Sequence, residues 1–273
     1  MRHVLVHAHI FKNAGTTFDF SLSRFFGHDF VDHRADREFL SGRNNYLLDY
    51  LAANTGVKAL SSHSLHFRIS GNDDIAVHPV YFLRHPIARV WSVYDFERRQ
   101  TGVDTEGARR AKELDLNAYV SWYLEEGSPA TIRNIHAIFL SGQGPSPDNM
   151  EEKVSQAKQY MKSPDVSFAV VERFDDSMVL LEKQLNGMFP GINLAYQKKN
   201  VTPGRSHMTL DESVSALMDK LDSDVADRLR IANAGDMALY AMANDRLNAG
   251  LGEMVDLESK QAAFAARCQS LQY

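Results

Sequence analysis

The sequence has a single cysteine, Cys268, among 273 residues. It can form no intramolecular disulfide, and so low a thiol count suits a reducing compartment. No run of some 18 apolar residues occurs, so no transmembrane helix is predicted. The N-terminus also lacks the basic segment and apolar run of a secretory signal. A cytoplasmic protein is therefore expected. Neither sign of charge dominates: 30 lysines and arginines against 35 aspartates and glutamates leave −5 at pH 7. That field weakly repels nucleic acid and anionic membranes, so an anionic ligand needs a local site. Repeats and low-complexity tracts are missing as well. With 44% hydrophobic and 24% charged residues, the composition excludes a disordered or fibrous chain.

What is present is a strand and helix alternation. Val4 to Ile10, Val57 to Ser62, Val80 to Arg84 and Val166 to Val171 read as apolar strands, with helical patterns between them. This order predicts an α/β fold with a central, mostly parallel sheet flanked by helices, whose ligands lie beyond the carboxyl ends of the strands. The length fits one domain over 1–273, with a largely helical C-terminal part from about residue 205. Thr16 or Thr17 is expected to cap the first helix, Pro86 to open the helix after the third strand, and Asp175 or Asp176 to cap a later one. Leu114 to Leu140 and Asn149 to Met161 read as helical, separated by a loop at Gly142 to Pro147. Lys198 to Met208 reads as a surface loop.

Two strand ends carry chemistry. After the first, Lys12-Asn13-Ala14-Gly15-Thr16-Thr17 runs into a helix. The unpaired amides of a helix N-terminus and its partial positive charge suit a phosphate or sulfate. Gly15 allows close backbone approach, and Lys12 supplies a compact charge. The lysine precedes the glycine, the reverse of G-x-x-x-x-G-K-[ST], which disfavours a triphosphate site. After the third strand, Arg84 at the strand end and Ser92 in the following helix can clasp a second phosphate.

Together these segments resemble the 3′-phosphoadenosine 5′-phosphosulfate (PAPS)-dependent sulfotransferase superfamily. His9 to Thr17 is similar to that family's 5′-phosphosulfate loop, H-I-P-K-T-A-G-T-T, and Leu83 to Tyr94 to its 3′-phosphate segment, L-R-D-P followed by R-x-x-S-x-Y. Val171 to Ser177 is similar to E-R-F-D-E-S, and Asn200-Val201 with Arg205-Ser206-His207 falls in the expected late loop. Ser62-His63-Ser64-Leu65-His66-Phe67 resembles the general-base region of the carbohydrate branch, which contains heparan sulfate 2-O-sulfotransferases and bacterial homologues.

The resemblance implies a P-loop-like three-layer fold that transfers a sulfuryl group from PAPS to an acceptor hydroxyl, on a carbohydrate or glycolipid. Adenosine 3′,5′-bisphosphate would be the product, and no metal is implied. Lys12 and His63 would be catalytic, with His66 the alternative base. Lys12, Asn13, Ala14, Gly15, Thr16, Thr17, Arg84, Ser92, Arg205 and Ser206 would hold the donor, with Asn134 near the cleft. Three positions depart from the pattern: Phe11 stands for proline, Asn13 for threonine and His85 for the acid.

Rival readings each lack a feature. A P-loop-like kinase wants lysine after the glycine and a magnesium-binding acid after a strand. A non-catalytic nucleotide- or sugar-binding module would not need Lys12 and His63. A metal centre at His7/His9 or His63/His66 has no carboxylate or cysteine at a recognised spacing. A hydrolase would need a G-x-S-x-G elbow or a cysteine–histidine pair.

Overall fold

A computed structural model describes residues 1–102, 104–197 and 208–271. Five strands form one sheet: β1 (Arg2–Ala8), β2 (Phe30–Asp32), β3 (Ala59–Ser62), β4 (Ile75–Leu83) and β5 (Ser167–Val170). Their spatial order is β2-β3-β1-β4-β5, and every pairing is parallel. Val4 to Ala8 are buried without a break, as befits a strand covered on both faces. The expected strands are all present; β2 is an addition, three residues too short to show a period. In β4, Pro79 faces Val6 of β1 one residue before pairing with β5 begins at Val80, so it falls where only one neighbour is registered.

Twelve α-helices are described. Those between β1 and β5 are α1 (Gly15–Phe26), α2 (Asp36–Ala53), α3 (Pro86–Arg99), α4 (Glu106–Glu113), α5 (Leu116–Tyr123), α6 (Ile135–Ser141) and α7 (Met150–Tyr160). After β5 come α8 (Phe174–Leu185), α9 (Leu210–Met218), α10 (Ser223–Ala232), α11 (Ala234–Gly252) and α12 (Leu257–Ser270). The main core surrounds the sheet, while α3, α4, α5, α9 and α10 enclose a second apolar cluster around Val90, Tyr119, Val120 and Leu229.

Three helix boundaries differ from expectation. α1 begins at Gly15, with Ala14 as a left-handed N-cap and no side-chain cap, so neither Thr16 nor Thr17 caps it. α8 begins at Phe174 without a side-chain cap. Asp175 instead accepts from the Tyr196 hydroxyl at 2.6 Å, and Asp176 accepts from Arg173 and Gln261. The stretch from Leu114 to Leu140 is not one helix: Gly127, Pro129 and a left-handed Asn134 separate α5 from α6. Pro86 does open α3. There His85 is the N-cap, its Nδ1 accepting from the Ala88 amide at 3.4 Å. A histidine here thus serves as the cap, a role more often taken by aspartate, asparagine or serine.

From β1 the chain crosses to β2 on one side, and from β4 it crosses to β5 on the other. The crevice between the carboxyl ends of β1 and β4 is therefore the switch point where ligands bind in such sheets.

Candidate active site

The β1–α1 loop occupies that crevice, and three consecutive residues anchor it from below. The Phe11 carbonyl accepts from Arg89 at 3.2 Å, and the Lys12 carbonyl accepts from Arg84 at 3.1 Å. The Asn13 side chain donates to the Phe82 carbonyl at 2.7 Å and lies 2.9 Å from His136 Nε2. Lys12 and Ala14 both adopt left-handed backbone conformations. For side chains other than glycine these are strained, and the anchors hold them in place. Left-handed residues on either side of Asn13 curl the backbone into a concavity of the kind that presents amides to an anion.

The structure therefore divides the six loop residues. Lys12, Ala14, Gly15, Thr16 and Thr17 line a cleft of about 510 Å³. Asn13 does not: it is buried, and its side chain is turned into the body of the protein. The helix-opening amides of Gly15 and Thr16 have no helical partner. The Thr17 amide, by contrast, is bonded to the Ala14 carbonyl at 3.0 Å.

Among the described residues, four cationic side chains line the cleft, namely Lys12, Arg34, Arg84 and Arg99, and no carboxylate does. Ser92, Phe96 and Arg99 reach it from α3 at spacings of four and three residues, one face of a helix. The Lys12 ammonium sits 4.4 Å from the centre of the Phe96 ring. Burial, with repulsion from Arg84 and Arg99, brings the Lys12 pKa down to about 8. Arg84 also lies 3.9 Å from Glu172, whose carboxylate accepts from the His85 amide and the Tyr240 hydroxyl. The Nε of Arg84, the atom nearest Glu172, is buried without a hydrogen-bond partner. A larger cavity, about 590 Å³, lies along a different face of α3, but it mixes Arg98, Lys112 and Lys220 with Asp95, Glu113 and Asp115, so its charges offset one another.

At the far wall, His63 follows β3 and its ring lies on that of His9, centroids 3.8 Å apart. Burial, then repulsion from His9 and Arg34, pushes His63 down to about 3, so its ring is neutral in the empty cleft. His9 is held in turn: its Nδ1 lies 2.9 Å from Asp19, whose other oxygen is 2.7 Å from His7 Nδ1. His7 Nδ1 is also 3.0 Å from the Ser61 hydroxyl. Burial alone would raise the Asp19 carboxyl, but the two histidines outweigh it and hold it well below the usual range. Gly15 underlies the same ring, and a Cβ there would lie 2.1 Å from His9 Nε2 and Cδ2.

His7, His9 and Asp19 are the group among the described residues whose ligand atoms cluster within 4.8 Å. The carboxylate that the sequence did not supply for these histidines comes from α1. Each of its oxygens is engaged by one ring nitrogen at hydrogen-bond distance, an arrangement that orients His9.

A second cavity, about 430 Å³, adjoins the cleft and shares Phe11 and His63 with it. His66 lines this cavity and is absent from the cleft lining; its ring packs on Phe139 at 4.0 Å. Phe11 thus forms part of the wall between the two spaces, with its ring edge-on to Phe96 at 5.2 Å.

Asn134 is not among the described lining residues of either cavity, although its neighbour Ile135 lines the second. The Asn134 side chain accepts from the Asp236 amide at 2.9 Å, tying α6 to α11. Arg205 and Ser206 lie outside the described residues. His9, Arg34, Phe96 and Arg99 are cleft residues that sequence reasoning missed. Helical spacing from Ser92 offered a signal for Phe96 and Arg99, whereas Arg34 lies beyond the short β2 and has none.

Comparison with known proteins adds little beyond this geometry. No family model matches the chain. A protein of Archaeoglobus fulgidus, described only as uncharacterized, is 26% identical over 253 residues, covering 91% of this chain and 99% of its own length. Among solved structures, a sulfotransferase from Alicyclobacillus acidocaldarius is similar at a TM-score of 0.39 and 15% identity, covering 88% of this chain and 99% of that one. A likeness this distant carries no argument. Among the described residues, no helix is long and apolar enough to cross a membrane.

Proposed function

We propose that the protein is a sulfotransferase that moves a sulfuryl group from PAPS to an acceptor hydroxyl and releases adenosine 3′,5′-bisphosphate. The observation that carries this reading is the cleft whose described lining has four cations and no carboxylate, built around a helix N-terminus in a chain whose formal charge is −5. Such a local field suits a ligand with several negative charges. The loop amides and Lys12 would take the 5′-phosphosulfate, while Arg84 and Ser92 would take the 3′-phosphate. Arg205 and Ser206 keep their place as donor contacts from the late loop. The resemblance of both segments to the sulfotransferase pattern points to this donor rather than to a triphosphate. The likeness of Ser62 to Phe67 to the carbohydrate branch would put the acceptor hydroxyl on a carbohydrate or glycolipid, a finer expectation that the mainly apolar lining of the second cavity does not favour.

Chemically, the acceptor oxygen would attack sulfur in line as the bond between sulfur and the bridging oxygen breaks. Charge grows on that bridging oxygen, where the Lys12 ammonium stabilises it. The hydroxyl proton would pass to His63, which stands between the two cavities and is neutral at physiological pH. A ring with so low a pKa is a weak base in the empty cleft, and an anionic donor beside it raises its proton affinity. Asp19 and His9 act as positioning residues behind His63, and transfer in this scheme needs no metal.

The test is thermal denaturation with adenosine 3′,5′-bisphosphate and with adenosine monophosphate at equal concentration. Selective binding to the folded state raises Tm, so the bisphosphate should give the much larger shift. Equal shifts would remove the 3′-phosphate assignment and, with it, PAPS as the donor.

A further inference from the structure

The second cavity differs in chemistry from the cleft it adjoins. No lysine or arginine is among its described lining residues, and its walls come mainly from Phe11, Ile135, Ile138, Phe139 and Pro145. The one ionisable acid there, Glu97, is fully engaged. One of its oxygens accepts from the Tyr119 hydroxyl at 2.5 Å and the other from Tyr123 at 3.0 Å. The polar groups left for a ligand are His63 at the entrance, His66 and Thr131.

A sugar with many hydroxyls would leave most of its hydrogen bonds to water unreplaced here, a loss that apolar walls do not offset. An anionic sugar would also face the Glu97 carboxylate. Arg89 lies behind this wall, but it is buried and bonded to the Phe11 and Thr131 carbonyls, and Arg43, which lines a further cavity of about 250 Å³ beyond His66 and Pro145, is bonded to the Gly142 carbonyl at 2.7 Å.

Resting on the proposed transfer from PAPS, we infer that the acceptor is an uncharged alcohol or phenol with an apolar body, seated in this second cavity with its hydroxyl at His63. A space of this size and lining takes one small molecule in the usual range of ligand pockets. The apolar body would be stripped of water while only the hydroxyl reaches the shared wall, so the cavity selects against polar and anionic sugars by what it lacks.

The test uses the whole chain, with 2-naphthol as an uncharged aryl alcohol and a glucuronate-containing disaccharide as the polar anionic alternative. Binding is read from naphthol fluorescence and, for the disaccharide, by calorimetry, each with and without adenosine 3′,5′-bisphosphate. Saturable naphthol binding is expected, with none for the disaccharide. Ile135→Asp should weaken naphthol binding at least tenfold. The aspartate falls in the first turn of α6, where its charge favours the helix. Ile135→Phe, which fills the cavity without adding charge, should also weaken it.

With PAPS present, naphthol should be sulfated and the disaccharide should not. Tighter binding or turnover of the disaccharide, or naphthol binding unchanged in both variants, overturns the inference. If the bisphosphate gives no thermal shift while the naphthol results hold, the donor reading fails and the cavity assignment stands.

Discussion

Two adjoining cavities share Phe11 and His63, yet they are chemical opposites. One is lined by four cations around a helix N-terminus; the other contains a single acid and mostly apolar side chains. On the reading proposed above, a chain of modest net charge would keep a polyanion and an apolar alcohol apart while leaving one imidazole in contact with both. The wall is made of side chains from different strand ends, so altering one side need not disturb the other. Predictions follow from breaking that independence in order of effect.

The imidazole common to both cavities carries the largest effect. His63→Ala should lower turnover about a thousandfold, within the usual range for removing a general base. Affinity for the bisphosphate should change by no more than about twofold. Single-turnover kinetics beside calorimetry separate the two, and turnover kept within a factor of ten would remove the base role. His66→Ala is the control: its ring stays on the apolar side, so it should alter acceptor KM and leave the donor untouched.

On the cationic side alone, Arg84→Ala should weaken bisphosphate binding about ten- to a hundredfold, the weight of a charge-assisted contact. Adenosine monophosphate should lose less. It will lose some, because Arg84 also holds the Lys12 carbonyl. A uniform loss for both nucleotides would make Arg84 a loop anchor only.

Gly15→Ala tests the partition between cleft and interior. Its Cβ would intrude on the His9 ring, and overpacking of this kind costs about 1–3 kcal/mol. A fall in Tm of several degrees together with weaker donor binding is expected. Unchanged stability would mean that the His9 ring is free to move, and Asp19 would then not be orienting it.

Sequence alone showed the outward half of this site and missed the inward half. Lys12, Gly15, Arg84 and Ser92 were legible because an anion site needs cations, amides and a small residue at strand ends, and those needs are local. Asn13 was assigned to the donor with its neighbours, but its partner His136 is 123 residues away, so no local pattern tells which way it points. The same holds for Asp19, which reaches His7 and His9 only once α1 packs against the sheet. The four long strands were readable from their apolar runs, whereas the caps of α1 and α8 were misread. In both, a side chain able to cap was present, and the folded chain used a left-handed residue or a distant partner instead.

The smallest effect is the one that separates Lys12 from the arginines. In the empty cleft its pKa is about 8, lowered first by burial and then by Arg84 and Arg99. A bound anion favours the ammonium and raises that value. Below pH 8 the lysine is already charged in both states and adds no slope, so affinity should be flat until the bisphosphate's own second ionisations, at about pH 6, begin to protonate the ligand. Above pH 8 the free cleft must take up a proton to bind, and affinity should fall by at most about tenfold per pH unit until the pKa of the complex is reached. Calorimetry in two buffers of different ionisation enthalpy should therefore find roughly half a proton taken up per bisphosphate at pH 8, where the phosphates are already ionised, with the Lys12 uptake fading toward pH 7. Arg84 and its neighbours stay charged throughout and add nothing to this slope. Lys12→Met should lower affinity and abolish the uptake, whereas Lys12→Arg should keep the charge and bind without pH dependence. Uptake that persists in Lys12→Met would assign the titration to another group and take the 5′-phosphosulfate contact away from this lysine.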